Sequence, residues 1–116
     1  MTKGLLIAST LVCTGLIFWA GLSPATDLPP LLKGTGPSDL VLHALGFGAL
    51  ALPTALLLGP LLGGLATSLA AVALELLQHL APSREASVPD AAAGLSGALL
   101  AALCIWVLAR SRRGRA

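Results

Sequence analysis

In a chain that is otherwise largely apolar, Asp39, His43, Glu75, Gln78, Arg84 and Asp90 have the reach to do chemistry. Glu75 and Gln78 stand one helical turn apart in the stretch Ala73 to Arg84, which closes on Pro82 and Arg84. An ionisable group at bilayer depth costs about 2.5–3.5 kcal/mol on insertion scales. Glu75 must therefore pair, take up a proton or face a wet cavity. It reads as a ligand or proton site, or else as a structural carboxylate paired with Arg84 or bonded to His43. His43 is a hydrogen-bonding group that gains interest from a carboxylate at the same depth. Gln78 is either interhelical glue or a ligand contact, and His79 reads as an interfacial side chain. Arg84 meets lipid headgroups or serves as a binder of phosphate or carboxylate, which its planar fork suits. Asp39 and Asp90 open apolar segments, where each is a helix cap or a member of the same site.

The elements that position these residues follow from composition. The 116 residues are 56% hydrophobic and 10% charged, whereas a soluble domain carries about 25% charged residues. Lipid is the expected solvent. Leu, Ala and Gly dominate, which suits helices that pack closely in a membrane. Four apolar spans are expected, at about 5–22, 40–58, 61–80 and 91–109, in a single domain over 1–116. Leu5 to Leu22 just reaches across a ~30 Å hydrocarbon core. Ser23-Pro24-Ala25 resembles a signal-peptidase site, but the apolar core before it exceeds the usual signal length, so an uncleaved helix is expected. Residues 23–38 form a loop broken by Pro24, Pro29, Pro30 and Pro37, with Ser38 or Asp39 as the cap of the next helix. Pro53 predicts a kink in the second span. Gly59-Pro60 predicts a tight turn, hence an antiparallel hairpin of spans two and three. Cys13 and Cys104 read as small buried hydrophobes.

The fold class expected is all-α: a membrane-embedded, up-and-down bundle of four helices. Lys3 and the tail Arg110, Arg112, Arg113 and Arg115 put both termini in the cytoplasm by the positive-inside rule. The tail abuts an apolar span and reads as a topology anchor, with no nucleic-acid partner. This topology brings His43, Glu75, Gln78, Arg84 and Asp90 to one depth on the outer side. Helical spacing aligns Gly64, Ser68, Ala71, Glu75 and Gln78 in one stripe. Asp90, Gly94, Gly97, Ala101 and Cys104 make a second, and Asp39, His43 and Gly46 a third. The three stripes are expected to face one another.

At these residues the chain resembles the VanZ-like family of small bacterial membrane proteins. The family shows an Asp-Lys-x-x-His pattern opening one span, represented here by Asp39-Leu40-Val41-Leu42-His43. It shows Glu-x-x-Gln closing another, here Glu75-Leu76-Leu77-Gln78, followed by Pro82-Ser83-Arg84. It shows Asp-x-x-x-Asn-x-x-Gly opening the next, here Asp90 to Gly97. The likeness covers about residues 38–104. Leu40 stands where the pattern has Lys, and Gly94 where it has Asn. The resemblance implies a multi-pass helical fold in the cell envelope and, through the founding member, a link to resistance to the glycopeptide antibiotic teicoplanin. It implies no reaction.

Three functions compete on the sequence. One is a non-enzymatic membrane module that binds an amphiphile at the outer leaflet, a lipid-linked envelope precursor or a lipopeptide-like antibiotic. Arg84 would take the anionic headgroup there, with Glu75, Gln78 and His43 beneath it. The second is a proton-linked transporter or flippase using Glu75, which at four helices would need to form a homo-oligomer. The third is an enzyme acting on a lipid headgroup, with His43 as acid or base. Against the third, Ser68, Ser87 and Ser96 lack a nucleophile-elbow context. No pair of histidines has metal-ligand spacing, and no cofactor motif is present, so neither metal nor cofactor is expected.

Overall fold

The computed structural model describes residues 1–33 and 37–116. The described residues form four α-helices: α1 (Lys3–Leu22), α2 (Pro37–Leu58), α3 (Pro60–Leu80) and α4 (Val88–Arg113). Each is long and apolar enough to cross a membrane. Single 3₁₀ turns at Ala25–Asp27 and Pro30–Leu32 are the only regular structure described between α1 and α2. Residues 34–36 of the loop expected there lie outside the described residues.

Local chemistry sets the helix ends. The Thr2 hydroxyl accepts from the Leu5 amide and caps α1. Gly59 takes φ 90°, open only to a residue without Cβ, and Pro60 follows at the first position of α3. One residue thus joins α2 to α3. α2 continues as helix through Pro53. The Thr54 hydroxyl donates to the Leu50 carbonyl at 2.6 Å, beside the backbone bond that the proline removes.

Two of the expected caps are corrected. α2 is already helical at Pro37, so Ser38 and Asp39 lie in its first turn, and the capping position lies outside the described residues. At α4 the cap is Ser87, whose hydroxyl accepts from the Asp90 amide at 3.1 Å. Asp90 sits three residues inside the helix.

Small residues decide how the helices pack. Gly63 lies so close to the Ala55 backbone that a Cβ would overlap it, which seals α2 on α3. Gly97 does the same against Ala44 and seals α2 on α4. Pairings of Ala55 with Gly63 and of His43 with Glu75 make α2 and α3 antiparallel. Asp39 meets Asp90 at the start of the two helices and Gly48 meets Gly97 further along, so α2 and α4 run parallel. The centre is filled by Phe47, Leu50, Ala51, Ala71, Leu74 and Ala98. Large residues such as Leu61, Leu69, Leu76, Leu100 and Leu108 point outward. Small inside and Leu outside is the pattern of helices whose surroundings are as apolar as their core.

The α3 stripe is seen as expected: Gly64, Ser68, Ala71, Glu75 and Gln78 are all buried. The α4 stripe is corrected. Its buried residues are Asp90, Gly94, Ala98 and Ala102, while Gly97 and Ala101 are half-buried and Cys104 is exposed. The seam follows a pure four-residue ridge, as when such ridges interdigitate, and so leaves the mixed three-and-four spacing. α1 stands apart from this three-helix core. It packs on α2 and to a lesser extent on α3, and Leu6 is its one buried residue.

Candidate functional site

The C-terminal ends of α1 and α3 meet the N-terminal ends of α2 and α4, and the polar residues gather there. Glu75 is one turn and a half from the end of α3 and 7% exposed. Its Oε2 accepts from the Ser87 amide at 2.9 Å. The same Ser87 caps α4 with its hydroxyl, so the carboxylate of α3 fixes the start of α4. Sequence reasoning missed this role of Ser87. The signal was present: Ser87-Val88-Pro89-Asp90 has the Ser-x-x-acid spacing of a capped helix start.

The other oxygen of Glu75, Oε1, lies 3.1 Å from His43 Nε2. The contact is short but not aligned as a hydrogen bond, and both atoms are buried without another partner among the described residues. On the far side of the ring, Nδ1 lies 2.9 Å from the Asp39 carbonyl oxygen and 3.5 Å from Asp39 Oδ1. Both ring nitrogens therefore face oxygen acceptors. A single ring proton satisfies one face and leaves a lone pair against oxygen on the other. The second face needs a second proton or a cation.

Asp90, buried at 7%, completes the group. One ligand atom from each of Asp39, His43 and Asp90 falls within 4.8 Å of the others. Asp39 and Asp90 occupy the first turns of two parallel helices. The unpaired amides there carry partial positive charge, which favours carboxylates at that end.

Gln78 is 1% exposed and its Nε2 donates to the Gly21 carbonyl at 2.8 Å. That carbonyl belongs to the last turn of α1, where no intrahelical donor remains. Gln78 thus holds α1 to α3, while its Oε1 is buried without a partner among the described residues. His79 is exposed, at the end of α3.

Between α1 and α2 lies a groove of about 410 Å³. Its walls are mostly apolar, with Leu16, Ile17, Leu42 and Phe47 among them, and Trp19 stands at its side. Asp39, His43 and Arg84 also line it. Arg84 is half-buried, and its guanidinium makes no ion pair among the described residues. A smaller cavity of about 310 Å³ lies on the other side, lined by Glu75, His79 and Ser87 with Val72 and Val88. Glu75 thus borders this second cavity and touches His43 from behind, while His43 faces the groove.

The structure therefore brings Asp39, His43, Glu75 and Asp90 into one cluster, sets Arg84 at the groove beside it, and places Gln78 at a helix junction. Comparison with family models, with curated proteins and with solved structures gives no match.

Proposed function

We propose that this chain is a VanZ-like integral membrane protein of a bacterial plasma membrane that binds an amphiphile at the outer leaflet. The observation that carries this reading is the α1–α2 groove, whose apolar walls run to Arg84, Asp39 and His43. About 410 Å³ is within the range of small-molecule sites, which are mostly apolar with a few convergent polar groups. An acyl or prenyl chain would lie along Leu16, Ile17, Leu42 and Phe47. Its anionic headgroup would meet Arg84, whose fork matches phosphate and carboxylate oxygens. Glu75 would act from behind by holding His43, and Gln78 by holding the wall formed by α1. A role in tolerance of a glycopeptide antibiotic is part of this reading: a protein that holds a lipid-linked envelope precursor alters what such a drug encounters.

In this reading the four spans lie in the membrane with both termini in the cytoplasm, as Lys3 and the arginine tail favour. The groove then opens toward the outer leaflet. Three features support binding over headgroup chemistry: the Ser87 hydroxyl is occupied as a cap, His43 is wedged between acceptors, and the groove is largely apolar.

Native mass spectrometry in mild detergent tests the proposal, with a prenyl phosphate added as probe. The wild type should retain the lipid, and Arg84→Ala should retain it at least tenfold less. A wild-type protein that keeps none, or an Arg84→Ala protein that keeps as much, overturns it.

A further inference from the structure

We propose that Asp39, His43 and Asp90 form a binding site for one divalent cation of the zinc class, with Glu75 as the group that orients the histidine.

The donors have the right chemistry. An imidazole nitrogen and two carboxylates suit Zn²⁺ and its neighbours, which accept nitrogen and oxygen together. Two ligands at ~2.0–2.1 Å on a tetrahedral ion stand roughly 3.3 Å apart. His43 Nδ1 and Asp39 Oδ1 are 3.5 Å apart already. The three ligand atoms lie within 4.8 Å of one another, so small side-chain rotations close the set. The three side chains leave a fourth position for water or an anionic ligand.

The independent observation is the environment of His43. Glu75 is more than nine-tenths buried, and its Oε1, with no hydrogen-bond partner among the described residues, lies 3.1 Å from His43 Nε2. Metal-bound histidines commonly donate the other ring N–H to a carboxylate, which fixes the tautomer and the ring. As it stands, Nδ1 is in hydrogen-bond geometry with the Asp39 carbonyl, and Nε2 is not aligned on Glu75 Oε1. A cation on Nδ1 would replace the carbonyl contact and move the ring proton to Nε2, where a small turn of the ring would let Glu75 Oε1 accept it. Charge points the same way. The carboxylates of Asp39, Glu75 and Asp90 converge on this end of the bundle, with Arg84 as the nearby fixed cation. In low-dielectric surroundings the excess negative charge calls for a counterion. No metal-spaced histidine pair announces this site, because its ligands come from two helices far apart in sequence.

The experiment uses the full chain in detergent, stripped with a chelator and then titrated with Zn²⁺ by calorimetry and with Co²⁺ by visible absorption. The expected result is one equivalent of metal, with the d–d bands of a four-coordinate Co²⁺ site. Asp90→Asn and Asp39→Asn, isosteric changes checked by size exclusion and circular dichroism, should each weaken binding at least tenfold. Glu75→Gln should weaken it about 10- to 100-fold, while His79→Ala should leave it unchanged. Wild-type protein that binds no metal, or folded Asp90→Asn and Asp39→Asn proteins that bind as tightly as wild type, overturns the site and leaves a purely protonated network. Should the asparagine variants not fold, pulsed EPR of Cu²⁺ in the His79→Ala protein, where His43 is the one remaining histidine, decides: coupling to an imidazole nitrogen supports the site, and its absence sinks it. None of these measurements involves lipid, so the metal site and the lipid site stand or fall separately.

Discussion

Glu75 is the residue on which the polar end turns, because each of its oxygens serves a different element. Oε2 holds the start of α4 through the Ser87 amide, and Oε1 meets His43 on α2. Glutamine would keep both contacts. Its carbonyl oxygen accepts from Ser87, its amide donates toward His43, and the burial of a charge is removed. Glu75→Gln should therefore fold, with a melting temperature in detergent at or above that of wild type. Retention of a prenyl phosphate should stay close to that of wild type, because the contacts persist and removing a negative charge does not weaken the hold on an anionic headgroup. A folded Glu75→Gln protein that loses the lipid would show that the carboxylate does more than hold His43 in place.

Among the elements, α2 has the most to satisfy. It packs against every other helix, and two of its seams are made by glycine against its own backbone. Any side chain at Gly97 would meet the Ala44 carbonyl, so Gly97→Val forces α2 and α4 apart at the level just below the cluster. Overpacking of this kind costs about 1–3 kcal/mol, and unfolding in detergent should show it. Gly15 of α1 is the control. A Cβ there meets nothing within 4 Å, so Gly15→Ala should stabilise by about 0.5–1 kcal/mol through helix propensity. Equal losses at both positions would mean that close backbone approach is not what holds α2 to α4. α1 is the contrasting element. With one buried residue and a tie through Gln78, it is a wall that can yield without opening the core.

For the whole molecule the decisive asymmetry is that of charge. The arginine tail and Lys3 belong to one end of the bundle, and the acidic cluster with Arg84 belongs to the other. With α1 and α3 ending where α2 and α4 begin, the Ala81–Ser87 segment lies at the end opposite the tail. In a Cys13→Ala, Cys104→Ala background, Ser83→Cys should react with an impermeant maleimide on intact cells. Reaction only after permeabilisation would reverse the topology and move the groove to the inner leaflet. Replacing the native cysteines matters because Cys104 is exposed on the bundle surface.

Four apolar helices long enough to cross a membrane, their approximate limits, the Gly59-Pro60 hairpin and the gathering of polar residues at one end were legible from hydropathy and helical spacing. These are local properties: apolar length sets a span, a proline or glycine ends it, and topology fixes depth. The α3 stripe was equally legible because its residues alternate three and four apart on a helix flanked by Leu. Which face of α4 turns inward was not, since Gly97, Ala98, Ala101 and Ala102 are all small and any of them could lie at the seam. Only the meeting of Gly97 with Ala44 and of Gly64 with Ala102 selects the rotation. The same holds for partners. The sequence placed Glu75 at the depth of both His43 and Arg84, but the division of its two oxygens between Ser87 and His43 depends on side-chain distances of a few ångströms. Those follow from how closely three helices approach, and the glycine contacts set that approach.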